Sequence, residues 1–351
     1  MASDVKDGGG AAQHGWAGVD IGLAFDLRNP ARWYRNPSRQ YGFTIEVCQE
    51  AERLGASSVW FSEHHLFDDD YISNPLTLAA AVAARTRRIR IGTSIVIAPL
   101  HHPVEIAEQS AAVDLISDGR LDLGIGAGYR VPEFELFGVS LADRYRRTDE
   151  TARRLRELWD SGGVRPRPVQ DRVPIWMGYL AARGARRAGL LGEHLLSADA
   201  ALWPAYLAGL TEAGHSASTG VMAGGFPAWA TEDPERDWPL VSEHLADRLN
   251  SYGRHTVEGT GRATPDPIDP QSVRNANADG TASIAYGTPE FVAQRIREYT
   301  AGAPVRTVIL WATIAGLDEA TILRNVETIC GRLAPLLSAS SPDGDLPRAR
   351  V

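Results

Sequence analysis

Cysteine is nearly absent: the 351 residues hold two, Cys48 and Cys330. Neither belongs to a CxxC pair or a Cys/His cluster. That excludes a disulfide framework, and both are expected as free thiols buried in helices of a protein kept in the reducing cytoplasm. No run of about 18 apolar residues occurs, so no membrane-spanning helix is expected. Residues 1–15 lack the basic start and apolar run of a secretory leader. Basic excess is also missing. The formal charge is −8 and no basic stripe is visible, which argues against a nucleic-acid partner. The arginine clusters (Arg85, Arg87 and Arg88; Arg144, Arg146 and Arg147; Arg153 and Arg154) lie among acids on helical stretches and read as solvated faces. No HExxH motif and no GxGxxG fingerprint appears. What remains is a globular balance, 44% hydrophobic and 23% charged, sufficient for a sizeable core.

No linker splits the chain. Short β-branched runs alternate with helix-period stretches, the mark of βα units and a parallel sheet. Strands are predicted at residues 19–25, 58–62, 89–98, 121–125, 174–178, 194–197, 220–226 and 305–312. Helices are predicted between them, among them 42–54, 142–159, 181–191 and 235–252. Residues 255–285 are poor in apolar side chains and rich in Gly, Pro, Asn and Asp; a loop of that length in a compact domain is usually functional or disordered. Eight strands close into a barrel without leaving an edge, so the expected fold is α/β, a (β/α)8 TIM barrel. An open doubly wound sheet is the alternative. The expected organisation is one barrel domain over residues 18–337, with flexible tails at 1–17 and 338–351.

In such a barrel the active site lies at the carboxyl ends of the strands. Glu63-His64-His65 follows the second strand directly, and two imidazoles with a carboxylate supply proton transfer at neutral pH. Neighbouring residues on an extended strand point to opposite faces, so consecutive histidines do not easily share a metal ion, and no metal site is predicted. Each histidine could equally be a hydrogen-bonded rim residue. Gly124, Gly126 and Gly128 follow the fourth strand, where glycine lets backbone approach a flat ligand; a tight rim turn explains them equally well. Leu180, Ala181 and Ala182 carry the fifth strand into a helix whose N-terminus can hold an anion, with Arg183 close by. Arg186 and Arg187 read as an exposed basic face, His101-His102-Pro103 as helix-entry capping, and Asp68-Asp69-Asp70 as a solvated turn.

Together the residues resemble the bacterial-luciferase-like flavin oxidoreductases. The likeness runs through Val59-Trp60-Phe61-Ser62-Glu63-His64-His65, Asn74-Pro75, Ile91-Gly92-Thr93-Ser94-Ile95-Val96-Ile97-Ala98-Pro99, His102-Pro103 and Asp114-Leu115-Ile116-Ser117-Asp118-Gly119-Arg120. It continues at Phe134, Phe137-Gly138, Pro174-Ile175-Trp176 and Gly287-Thr288-Pro289, and is weak across residues 200–280. The resemblance implies a barrel binding reduced FMN, with a cis peptide at Ser94-Ile95 against the flavin ring. It implies that His64 is catalytic, with Glu63 orienting a neighbour and His65 secondary. Ala127 stands where luciferase has a phosphate-binding Arg, and Leu180 and Ala181 stand where it has polar ligands. Phosphate binding is therefore expected from Tyr129 and from backbone N–H groups near Ala182.

The expected function is a two-component monooxygenase that uses reduced FMN and O2 on an organic substrate, with reduced flavin from a separate reductase. The alternatives are a dehydrogenase or reductase using the deazaflavin coenzyme, a non-catalytic flavin-binding subunit, and a metal-dependent barrel hydrolase. Phe25, Trp60, Phe226 and Trp311 are the expected lining of the substrate pocket. Residues 255–285 are expected to form a lid, and the chain to form a homodimer.

Overall fold

The computed structural model describes residues 18–274 and 284–338. The tails predicted to be flexible and the middle of the proposed lid lie outside these residues. Among the described residues there are eleven strands: β1 Asp20–Phe25, β2 Ser58–Phe61, β3 Arg90–Thr93, β4 Val96–Ile97, β5 Leu121–Gly126, β6 Ile175–Gly178, β7 His194–Leu196, β8 Met222–Gly225, β9 Ala228–Ala230, β10 Ala285–Gly287 and β11 Val305–Thr313. Nine of them form one parallel sheet ordered β3-β2-β1-β11-β8-β7-β6-β5-β4, and pairing of β3 with β5 closes it. β3 and β4 are the two ends of one interrupted strand, so the structure is a closed eight-stranded barrel with no open edge.

The predicted continuous strand at residues 89–98 is thus corrected to two segments, broken at the cis peptide between Ser94 and Ile95. Thr93 holds the break: its hydroxyl donates to the Gly124 carbonyl (2.7 Å) and accepts from the Gly124 amide (2.9 Å). A Cβ on Gly124 would fall 1.8 Å from the Thr93 carbonyl oxygen, so only glycine permits this approach.

One local rule opens five of the helices. A side-chain cap is followed by proline, whose missing N–H is not needed in the first turn. Asn36 caps α1 (Pro37–Leu54), Asn74 α2 (Pro75–Arg85) and His102 α3 (Pro103–Ser117). α4 (Val131–Leu136), α5 (Arg144–Asp160), α6 (Ala182–Leu191) and α7 (Trp203–Glu212) follow. Asp233 then caps α8 (Pro234–Val257) and Thr288 caps α9 (Pro289–Thr300). The helices pack over the barrel through one continuous apolar layer that includes Val47, Cys48, Val82, Ala111, Leu155, Ile296, Val326 and Cys330. Both cysteines are free and buried, as expected. Buried Arg120 has no carboxylate among its hydrogen-bond partners. Its guanidinium donates to the carbonyls of Ala83, Thr86, Ile89 and Ser117, tying the carboxyl ends of α2 and α3 together.

The barrel interior is filled by Trp60, Trp176, Leu196, Ala223 and Ile309. The two indoles meet edge to face, with centroids 6.1 Å apart. This corrects the assignment of Trp60 to a substrate pocket: its ring is core, and Gly92 is bare because a Cβ there would lie 2.2 Å from it.

The long α8 runs past the helix expected at residues 235–252 and takes in the first three residues of the proposed lid. The helix continues through Val257, so His255 is a buried helical residue, 3.7 Å between ring centroids from Phe67. β9 and β10 pair beside the barrel as a separate two-stranded ribbon.

Candidate active site

A cavity of about 920 Å³ opens at the carboxyl ends of β2, β4, β5 and β6. Its floor is apolar. Ile95 and Ile97 lie over the glycines of the next strands: a Cβ on Gly126 would fall 2.7 Å from Ile95, one on Gly178 2.6 Å from Ile95, and one on Gly128 2.7 Å from Ile97. The glycines at the ends of β5 and β6 therefore exist to seat two isoleucines as a shelf, with Ala127 beside it.

One end of the cavity carries His64. Its Nδ1 lies 3.4 Å from Glu133 Oε1, and its Nε2 lies 3.4 Å from the Tyr252 hydroxyl. Glu133 is fully buried, and the same oxygen accepts the His65 amide at 2.9 Å. This carboxylate fixes the imidazole: with a proton on Nδ1 facing Glu133, Nε2 is left to face the cavity and Tyr252. Phe67, Tyr71, Tyr129 and Tyr252 surround the ring. The Tyr252 hydroxyl donates to that of Tyr71 at 3.0 Å. Burial pushes both the Tyr252 and Tyr129 phenols up, so they stay protonated donors. Among the described residues the buried Tyr129 hydroxyl has no acceptor for its proton, a donor left for a ligand.

Glu63 and His65 face away from His64, as alternation along an extended segment requires. Glu63 Oε2 accepts the Ile97 amide (2.8 Å), while Oε1 accepts from His65 (2.8 Å) and His101 (2.6 Å). Burial alone would raise the Glu63 carboxyl. The hydrogen bonds from the two imidazoles and from Ile97 outweigh it and hold the group below the usual range. Glu63 is therefore a strut fixing the Ile95–Ile97 wall. His102 caps α3 as predicted, but His101 belongs to this cluster, which corrects its reading as a capping residue.

The other end of the cavity carries three arginines, of which Arg146 is paired at the surface with Asp143 and Glu150. Arg146, Arg183 and Arg187 line it together with Tyr145, Tyr179, Leu180 and Ala181, at the N-terminus of α6. Arg187 is no exposed basic face: it pairs with Asp149 at 2.5 Å and leaves its buried Nε without a partner. Arg186 does lie outside, paired with Glu212.

Of the sequence-predicted residues, Glu63, His64, Ser94, Ile95, Gly128, Tyr129, Leu180 and Ala181 line this one cavity. His65, Gly126 and Ala182 stand immediately behind it as neighbours of lining residues. The aromatic pocket set is corrected. Phe25 packs against Phe61, and Phe226 against Tyr299, in the outer core. Trp311 is covered by the Arg248 guanidinium at 4.6 Å. Glu133, Tyr252, Arg146 and Arg187 had not been singled out for the site. Glu133 was within reach, seven residues beyond a glycine-rich strand end. Tyr252 was not, because nothing local in a long amphipathic helix marks one face as facing a cavity. Asp69 is also corrected: it is buried, bonded by Arg28 and Ser251, and not a solvated turn residue.

The fold and the cavity at the strand ends define a TIM barrel with a candidate active site at its carboxyl-end mouth. The chain belongs to the luciferase-like monooxygenase family, whose profile matches residues 22–306. It is 36% identical over 153 residues to the oxygenase component of the flavin-dependent trigonelline monooxygenase of Acinetobacter baylyi, covering 39% of this chain and 42% of that protein. It is 32% identical over 182 residues to an F420-dependent glucose-6-phosphate dehydrogenase of Amycolatopsis mediterranei, covering 44% of this chain and 54% of that one. The matches thus span about half the length of these relatives. Among solved structures, the monooxygenase RslO1 of Streptomyces bottropensis shares the fold with a TM-score of 0.74 at 21% identity, covering 90% of this chain and 99% of that one. The family includes both FMN-dependent monooxygenases and F420-dependent dehydrogenases.

Proposed function

We propose that the chain is the oxygenase component of a two-component system, taking reduced FMN from a separate reductase and using O2 to oxygenate an apolar organic substrate. The observation that carries this reading is the division of one cavity into three zones. The apolar shelf of Ile95, Ile97 and Ala127 matches a planar ring. Arg146, Arg183 and Arg187 with the α6 N-terminus match a phosphate at one end. His64 and two protonated phenols match polar chemistry at the other. The orphaned Arg187 Nε and Tyr129 hydroxyl are groups that such a ligand would satisfy.

Reduced flavin bound here would supply the two electrons that split O2 between product and water. The protein's part is positional. The shelf would hold the ring flat, and His64 Nε2 would hold or pass a proton at the reacting end. Glu133 would keep the proton on His64 Nδ1, and Tyr71, which accepts from Tyr252, would keep its own hydroxyl proton to donate. The aromatic collar of Phe67, Tyr71, Tyr129 and Tyr252 would keep water from the reacting end. Relatives named as a flavin-dependent oxygenase component and as 4-hydroxyprotoasukamycin monooxygenase support this reading.

The competing reading is hydride transfer by the deazaflavin coenzyme, favoured by relatives named as F420-dependent. Anaerobic titration with photoreduced FMN and with the reduced deazaflavin, followed by mixing with oxygenated buffer, separates the two. Tight binding of reduced FMN with altered oxidation kinetics is the expected result. Binding of the deazaflavin alone would overturn the monooxygenase assignment.

A further inference from the structure

We propose that Glu63, His65 and His101 form a binding site for a single borderline divalent cation of the Zn2+ type, separate from the cavity chemistry at His64. Glu63 Oε1, His65 Nε2 and His101 Nε2 all lie within 4.8 Å of one another. Each imidazole nitrogen is already within 2.8 Å of the same carboxylate oxygen. Two neutral nitrogens and one anionic oxygen make a donor set that such cations take. Ligand distances near about 2.1 Å would need the two rings to swing outward by less than about 1 Å.

Three further features distinguish this trio from a chance contact. The Ile97 amide already holds Glu63 Oε2, which orients the carboxylate so that Oε1 faces the two rings, the supporting bond that metal-binding carboxylates commonly have. The Phe137 ring stands against both imidazoles, with centroids 4.8 Å from His65 and 6.2 Å from His101, and shields them on one side. His101, Pro99 and Pro103 also line a second, outer cavity of about 420 Å³ facing α5, so one of the three donors is reached from outside the barrel mouth. The bound ion would tie the end of β2 to the turn after β4, and so brace the same Ile95–Ile97 wall that Glu63 supports.

The test uses purified full-length protein stripped with a chelator, then dialysed against Zn2+ with metal analysis, and against Co2+ with visible absorption. The expected result is one saturable equivalent per chain, a rise in Tm with Zn2+, and the intense visible bands of low-coordinate Co2+. His101→Gln keeps a hydrogen-bonding group beside Glu63 and should weaken binding about tenfold or more, with the metal-dependent Tm rise lost. His65→Gln gives an independent second variant, and circular dichroism without metal checks that each folds. Wild-type stoichiometry below one, or equal affinity in wild type and both folded variants, would overturn the site and leave the trio as hydrogen bonding alone.

Discussion

At the level of single residues the site depends on one imidazole being held in a single tautomer. His64 meets a buried carboxylate on one nitrogen and a phenol on the other. Replacing His64 with Asn should keep the fold and lower turnover about 10²- to 10⁴-fold, the range for losing a positioned proton-transfer group. Glu133→Gln is milder in shape: it keeps an acceptor oxygen but removes the negative charge that favours the proton on His64 Nδ1. It should lower kcat while leaving the KM for flavin nearly unchanged, and equal loss in both would argue that Glu133 acts on binding. Gly178→Val tests the shelf. Its side chain would enter the space of Ile95, so flavin affinity measured by fluorescence quenching should fall at least tenfold with little change in far-UV dichroism. The Glu63, His64 and His65 cluster and the glycines at 126 and 128 were legible in the sequence because strand ends announce themselves. Their division of labour was not, since which neighbour each side chain meets is decided by residues such as Glu133 and His101 from other segments.

Elements explain what the residues cannot. α6 brings Arg183 and Arg187 to the cavity at its N-terminal turns, where backbone N–H groups and the helix dipole add to the guanidinium charge. Arg183→Ala should weaken binding of a phosphate-bearing flavin by about 1.5–3 kcal/mol. It should have little effect on riboflavin, which lacks the phosphate, and a similar loss for both ligands would relocate the phosphate. Arg120 illustrates the same point for stability. Its buried guanidinium satisfies carbonyls at two helix ends, so Arg120→Met leaves them unpaired and should cost about 3 kcal/mol, read as a fall in the urea midpoint. The cap-proline openings of α2, α3 and α9 were readable from local chemistry alone, whereas α1 begins at Pro37, five residues before the start expected at residue 42. The extent of α8 was not: its last turns are held by buried contacts of Tyr252 and His255 with Tyr71 and Phe67, partners about 180 residues away.

For the whole molecule, closure of the barrel places two different chemistries at its two mouths. The carboxyl-end mouth holds the cavity, and the opposite end holds a polar belt in which Arg90 pairs with Asp122 and Arg156 with Glu193. His194 lies in that belt against Trp176, with no partner for its Nδ1. Burial pushes its pKa down to about 4 from the usual 6.5, against the attraction of Asp122. The folded state therefore binds fewer protons than the unfolded chain between pH 6.5 and 4, and stability falls as pH drops through that window. The contribution approaches about 3 kcal/mol at its lower end. His244 and His255 are lowered by burial in the same direction. Urea midpoints at pH 7.5 and 5.0 should differ less in His194→Gln than in the parent, and an unchanged difference would assign the loss to other groups.

By itself the sequence determined the barrel, its eight strand positions to within a few residues and the family, because hydrophobic period, caps and glycine-rich strand ends are local properties of the chain. Only the tertiary structure decided what lines the cavity. It moved Trp60 and Phe25 into the core, brought Tyr252 and His101 to either side of the Glu63-His64-His65 segment, and turned an arginine face of α6 inward. The reason is physical: an aromatic or charged side chain takes its role from the groups it meets, and closing the sheet brings such groups together from distant segments, His64 and Tyr252 being 188 residues apart.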